Sequence, residues 1–221
     1  MKLTPVIIFF FFAVAASAQR NAPVLKFNTL ALIDDVSFPT IQAGMETMLN
    51  DKWSWFNEAG IKYRRSLSES RDTSFIGTGG FKLKSEIRHY LRDNLAPYGL
   101  YAGFNLFYTN DKHHTSVIYT RPTETIDRED IFAVRKQVYG FNFLVGAQKL
   151  WRSGLVTDFY AGAGLRYRNY VVSHLEYNPR VDSVHSGPDY NFGTERIISE
   201  AEDRDGFMAN FTIGLRMGFR F

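Results

Sequence analysis

From Phe207 to the last residue, every odd position is apolar: Phe207, Ala209, Phe211, Ile213, Leu215, Met217, Phe219, Phe221. The even positions between them read Met, Asn, Thr, Gly, Arg, Gly, Arg. A period of two is that of an extended strand, whose successive side chains point to opposite faces. The final segment is therefore expected to be a strand with one face wholly apolar and the other carrying glycine and arginine.

The same alternation recurs along the chain, and helical spacing is scarce. Strands are expected at about 24–33, 38–49, 52–65, 79–93, 96–109, 134–150, 154–172 and 206–221, eight in all. In the third, Trp53, Trp55, Ala59, Ile61 and Tyr63 oppose Ser54, Glu58, Gly60 and Lys62. In the sixth, Tyr139, Phe141, Phe143, Val145 and Ala147 oppose Gly140, Asn142, Gly146 and Gln148. In the seventh, Leu155, Phe159, Ala161, Ala163, Leu165 and Tyr167 oppose Asp158, Gly162, Gly164, Arg166 and Arg168.

The connections alternate in length. Tight links fall at Asn50-Asp51, Asn94-Leu95 and Trp151–Gly154, and long polar ones at about 66–78, 110–133 and 173–205. Only the link near Asp34-Asp35 is short where the rule asks for length. Short turns on one side and long loops on the other describe an outer-membrane barrel with both termini in the periplasm.

Alternating faces fit two architectures. A soluble lipocalin-like barrel or sandwich turns its apolar faces inward, whereas a membrane barrel turns them out. Three features favour the membrane form. The first is an N-terminal export signal: Lys2, then the apolar run Pro5–Val14, then Ala16-Ser17-Ala18 as an A-x-A cleavage site. That run is shorter than the roughly 20 residues a spanning helix needs. The second is the loop asymmetry. The third is aromatics near strand ends, at Trp53, Trp55, Tyr63, Tyr98, Tyr108, Trp151, Tyr167, Phe219 and Phe221, where interface girdles belong. The expectation is an all-β fold: a signal peptide at 1–18 followed by an eight-stranded antiparallel transmembrane β-barrel at 19–221, with short periplasmic turns and longer extracellular loops. A final aromatic also partly matches the signal read by the outer-membrane assembly machinery, although Arg216 stands where that signal commonly has glycine.

Leu25–Leu30, Trp53–Tyr63 and Glu86–Tyr90 followed by Gly99–Phe104 resemble an uncharacterised family of small outer-membrane β-barrels of Bacteroidota-type bacteria. The resemblance covers most of the mature chain and implies the same fold and location. It brings no activity with it.

Composition narrows the function classes. With 26 Lys+Arg against 23 Asp+Glu, the chain lacks the concentrated basic footprint of a nucleic-acid binder. The absence of cysteine rules out a disulfide framework and thiol chemistry. Eight strands leave an interior just wide enough for side chains. The inward set is expected to be Glu58, Lys62, Arg64, Lys84, Glu86, Arg88, Asp158, Arg166, Arg168, Arg216 and Arg220, with its acids shared among cations because unpaired buried charge is costly. That set reads as a structural plug, with a gated ion path or an anion pocket as the alternative.

No catalytic, cofactor or metal residues are assigned. Ser173, His174, Asp182, Ser183 and His185 share one loop and could form a triad, yet no motif of a barrel hydrolase surrounds them. His89 is expected on the outer face, and adjacent His113 and His114 point oppositely. Loops 110–133 and 173–205 are the candidate surfaces for an unidentified partner, and apolar residues in the first could prolong its flanking strands as a β-ribbon. The acidic run Glu200, Glu202, Asp203, Asp205 lacks metal-site spacing. The expected role is structural or interaction-based, as a monomer among outer-membrane lipids. A narrow channel, a lipid-modifying enzyme and a soluble periplasmic binding protein are the alternatives.

Overall fold

A computed structural model describes residues 23–33, 38–63, 76–91, 97–123, 126–178, 180–184 and 205–220. The expected signal peptide, Arg64, His185, Phe221 and most of loops 66–78 and 173–205 lie outside these residues. The fold is an all-β antiparallel sheet of nine strands that closes into a ring. The strands are β1 (Val24–Asn28), β2 (Thr40–Met48), β3 (Trp53–Lys62), β4 (Ile76–Tyr90), β5 (Gly99–Thr120), β6 (Arg128–Leu150), β7 (Leu155–Ser173), β8 (Ser183–Val184) and β9 (Gly206–Arg220). Each of β1 to β6 pairs with the next, β7 pairs with β9, and β9 returns to β1. An all-antiparallel ring must hold an even number of strands, and this one holds eight. The expected count was eight overall. The ninth, β8, is a two-residue strand on the far end of β5, at Tyr119 and Thr120, and takes no part in the closure.

Two expected boundaries change. The first strand ends at Asn28, and Leu30–Ile33 is a 3-10 helix instead of a continuation. Leu-Ala-Leu-Ile has no alternation to hold it in a sheet, and the Asn28 side-chain oxygen accepts a hydrogen bond from the Ala31 amide at 3.3 Å. With the helix inside it, the link to β2 becomes long, so the exception to the length rule disappears. The second change is in 110–133, where β5 and β6 stay paired from Gly99↔Gln148 out to Tyr119↔Arg128. Most of that expected loop is a β-ribbon, since β5 runs to Thr120 and β6 starts at Arg128.

The faces divide as the alternation predicts, and their polarity is inverted relative to a water-soluble protein. On the outside, Phe143 is 65% exposed, Val145 66% and Phe211 82%. Inside lie Lys26, Glu46, Glu58, Glu86, Arg88, Asp158 and Arg216, all buried. The outer apolar stretch on β5 runs from Leu100 to Tyr108, and its neighbour on β6 from Tyr139 to Ala147. Each matches the roughly 9–11 residues with which a tilted strand crosses a bilayer.

Beyond Tyr108, Tyr139 and Tyr167 the outer face becomes polar, with Lys112 and His114 on β5, Arg135 on β6 and Asn169 on β7. An aromatic row marks the change. Phe81 lies 5.6 Å from Tyr108, Tyr108 4.9 Å from Tyr139, and Tyr167 5.0 Å from Phe207, centroid to centroid. At the opposite end the Trp53 and His89 rings lie tilted to each other with centroids 4.7 Å apart, and Trp151 sits in the tight turn that Gly154 closes with φ 82°.

Above the aromatic row the inner face carries Asp111, Lys136 and Arg168, and farther up the ribbon Tyr119, Phe132 and Val134 pack with Tyr177 into a second small core.

Glycines on the inner face make room for rings from adjacent strands. A Cβ on Gly146 would overlap the Tyr101 ring, and one on Gly214 would overlap the Tyr160 ring. Both tyrosines belong to the buried interior. Replacing Gly214 by valine is expected to displace Tyr160 and cost about 1–3 kcal/mol by overpacking. The check is the temperature at which the folded form is lost in detergent; an unchanged transition would show that Tyr160 can move freely.

Candidate functional site

Two interior regions are stacked along the ring axis: a packed charge cluster toward the tight-turn end, and a cavity above it. The cluster is built by register. Phe56 on β3 pairs with Glu46 on β2 and Glu86 on β4, while Asp158 on β7 pairs with Gln148 on β6 and Arg216 on β9. Side chains from six strands therefore meet at one level.

Lys26 contacts Glu46 at 2.7 Å and Asp158 at 3.1 Å, and also bonds the Gln148 amide oxygen. Arg88 reaches Glu86 at 2.6 Å and Asp158 at 2.9 Å. Arg216 reaches Glu58 at 2.8 Å, Glu86 at 3.2 Å and Asp158 at 3.5 Å. Lys84 completes the set on Glu58 at 2.8 Å. Among the described residues, four cations thus face four carboxylates, and the cluster is neutral.

Hydroxyls satisfy remaining lone pairs. Tyr90 and Ser54 donate to Glu46 at 2.7 and 2.5 Å, and Tyr101 donates to Asp158 at 2.8 Å. The buried Phe56 ring lies at the centre, with Lys26, Arg88 and Arg216 at 5.0, 4.8 and 4.4 Å from its centroid. Such a cation–π platform adds attraction without adding another charge to be neutralised.

The expected interior residues divide by level. Glu58, Lys84, Glu86, Arg88, Asp158 and Arg216 come together in the cluster. Lys62 instead pairs with Asp111 at 2.9 Å, nearer the ribbon. Arg166 and Arg168 lie higher on β7 and take no part in the cluster. Arg220 departs from its assigned place: it is exposed at the end of β9, 5.9 Å from the Tyr98 ring. At the last pair of the sheet, it has no wall beyond it to hold it inside.

Lys26 and Glu46 were not among the expected interior charges. The alternation Leu25-Lys26-Phe27-Asn28 already places Lys26 opposite the apolar face, so that signal was present. Glu46 sits in Met45-Glu46-Thr47, where flanking polarity blurs the period.

Of the expected interfacial aromatics, Trp53, Tyr98, Trp151 and Phe219 lie toward the tight-turn end, and Tyr63 and Tyr167 toward the other. Trp55 sits one outward position inside Trp53, its indole nitrogen donating to Ser85 at 2.8 Å.

The cavity above the cluster has a volume of about 340 Å³. Gln42, Asn105 and Asn142 contribute amides to its wall, and Phe107, Val138 and Leu144 contribute apolar groups. Above it, the chain after β7 folds across the ribbon. His174 turns it with a positive φ of 67°, and Asp130 accepts hydrogen bonds from the Glu176 and Tyr177 amides at 2.6 and 3.0 Å.

Replacing Asp130 by alanine leaves both amides without that acceptor and is expected to weaken the docked segment by about 1–3 kcal/mol. Limited proteolysis should then cut selectively near 174–184 while the ring stays intact. Cleavage at the wild-type rate would show that the acceptor does not hold the segment. In the same region Ser173 and His174 end β7, whereas Asp182 bonds the Asn178 amide at 2.8 Å and lies 3.7 Å from Arg121.

No protein-family model matches the chain, and no curated protein matches it. Among solved structures, it is similar to a major outer membrane protein from Thermus thermophilus. The identity is 11%, the TM-score 0.43, and the match covers 91% of this chain and 98% of that one.

Proposed function

We propose that the protein is an outer-membrane β-barrel, eight strands around, whose lower interior is a structural plug and whose ribbon and 173–205 segment face the cell exterior. Residues 1–18 serve as the cleaved export signal, and the tight turns lie in the periplasm. The observation that carries this reading is the outer face: apolar around the ring apart from the Asn57–Ser85 pair on β3 and β4, bounded by aromatics, then polar within one or two outward positions. A water-soluble barrel has no reason to gather its apolar surface into a band on the outside. Lipid gives such a band its partner, and closure pairs the strand edges around most of the circumference.

The role follows from the cluster. Its neutral, mutually bonded side chains fill the bore at one level, so the barrel is a scaffold and not an open pore. It maintains the envelope or presents its ribbon to a surface partner, and no chemistry is assigned to it. Cell fractionation tests the location, with unheated and boiled membrane samples compared on a detergent gel. A signal-cleaved band in the outer membrane whose mobility changes on boiling is expected. A periplasmic protein with no such change would overturn the proposal and require the apolar band to be covered by something other than lipid.

A further inference from the structure

The wall of the ring is incomplete as a sheet at the level of the cavity. Strand β1 pairs with β9 only from Val24↔Arg220 to Asn28↔Arg216, and the last bridge is Thr29 to the Leu215 carbonyl at 2.9 Å. Above that point β9 continues to Gly206, hydrogen-bonded to β7 on one side. Among the described residues, only the 3-10 helix Leu30–Ile33 stands on its other side, between β9 and β2.

Phe211 and Ile213 show what this does. Both occupy outward positions, 82% and 63% exposed, yet both line the interior cavity together with Leu30 and Ala31. In a continuous wall a residue faces one side or the other. That both also line the cavity sets it against the seam between β9 and the 3-10 helix, at the level of the apolar band.

The rest of the cavity wall has the opposite character. Its described lining holds Lys82, Lys84, Lys136, Arg166 and Arg216 and no carboxylate. Lys84 and Arg216 are committed to Glu58 below. On the β6–β7 wall the inner-face pairs are Lys136↔Tyr170, Val138↔Arg168 and Gly140↔Arg166, which places three cations close together. Lys136 and Arg168 flank the Tyr170 ring at 5.7 and 5.9 Å. The Nε atoms of Arg166 and Arg168 are buried with no hydrogen-bond partner among the described residues. Buried guanidinium donors are costly to leave unmet, and an oxyanion is the group that fits them. A volume of about 340 Å³ is at the small end for ligand cavities, sufficient for one chain and a head group.

We propose that the cavity binds a single-chain amphiphile with a carboxylate or phosphate head, taken from the surrounding lipid through the seam between β9 and the 3-10 helix. The head group lies against Lys136 and Arg166, with Arg168 next along the same wall, and the chain runs out past Ile213 and Phe211. This rests on the membrane reading above. The full chain in lipid nanodiscs is the material for the test, with a boiling-induced gel shift required of every variant, so that failure to bind is separable from failure to form the barrel.

Binding is read by native mass spectrometry after nanodiscs are loaded with dodecanoate, dodecyl phosphate or uncharged dodecanol. Both anions are expected to bind and dodecanol is not. The double variant Lys136→Gln/Arg166→Gln should weaken the anions about tenfold or more, since hydrogen bonds to charged groups are the strong ones. Ile213→Trp, apolar and lipid-facing, should slow loading from the bilayer at least severalfold while a barrel still forms. Absence of anion binding by folded protein would overturn the proposal, as would equal binding of dodecanol or unchanged affinity in the double variant. A loading rate untouched by Ile213→Trp would overturn the lipid route and give the site to anions arriving from water.

Discussion

Replacement of Arg216 by alanine is expected to be the most damaging single change in the interior of the ring, costing about 3–5 kcal/mol. The guanidinium is buried and contacts Glu58, Glu86 and Asp158, so its loss leaves an excess negative charge in a buried cluster that is otherwise neutral. The arginine also lies 3.9 Å from the Tyr160 ring centroid, and that contact goes with it. The temperature at which the compact gel band converts to the unfolded one should fall steeply, or the compact band should not form. Arg216→Ala/Glu58→Gln should recover part of the loss, because the second change removes the orphaned charge; such coupling is the sign of a shared network. Arg220→Ala is the control: it lies four residues on and exposed, and should change stability by no more than about 0.5 kcal/mol. Equal effects at 216 and 220 would show that the cluster contributes nothing specific.

Phe143→Arg is the second large effect, and it separates lipid from water. Phe143 is 65% exposed, paired with Phe104 across β5 and β6, with ring centroids 5.5 Å apart. An arginine on the lipid face near the bilayer midplane costs about 2–4 kcal/mol. On a water-facing surface the same exchange would fall within about 0.5 kcal/mol. Refolding yield into lipid, scored by the compact band, is expected to drop sharply, with Lys112→Arg on the polar ribbon unaffected. A fully folded Phe143→Arg variant would place that face in water.

Much of this was legible from residue order because strand periodicity is local. The outward Trp53, Ile61, Phe143 and Phe159, and the inward Glu58, Glu86 and Asp158, follow from position parity alone. The direction of the faces does not: parity is the same for a lipocalin-like barrel, and only the closed ring shows which side is enclosed. Three features depended on contacts that are distant in sequence. Phe56 interrupts a polar face and has no local meaning until Lys26, Arg88 and Arg216 gather around its ring. Tyr119, Phe132 and Val134 pack because their partner, Tyr177, comes from a later segment, which the spacing of the ribbon alone does not reveal. The 3-10 helix at Leu30–Ile33 has the composition of a strand, and it is the short reach of β1 against β9 that puts it in the wall. The seam beside the cavity follows from that mismatch, which no single strand records.

The most direct test of the central claim, that lipid covers the outer apolar face, uses the three native tryptophans. Trp53 and Trp151 are 42% and 46% exposed on that side, and Trp55 is half-buried one outward position closer to the middle of the band. The full chain, refolded into bilayers whose acyl chains are brominated at different depths, should show tryptophan fluorescence quenched most by bromines nearest the head groups. Emission unaffected by bromine at any depth, from protein that is folded, would contradict the account.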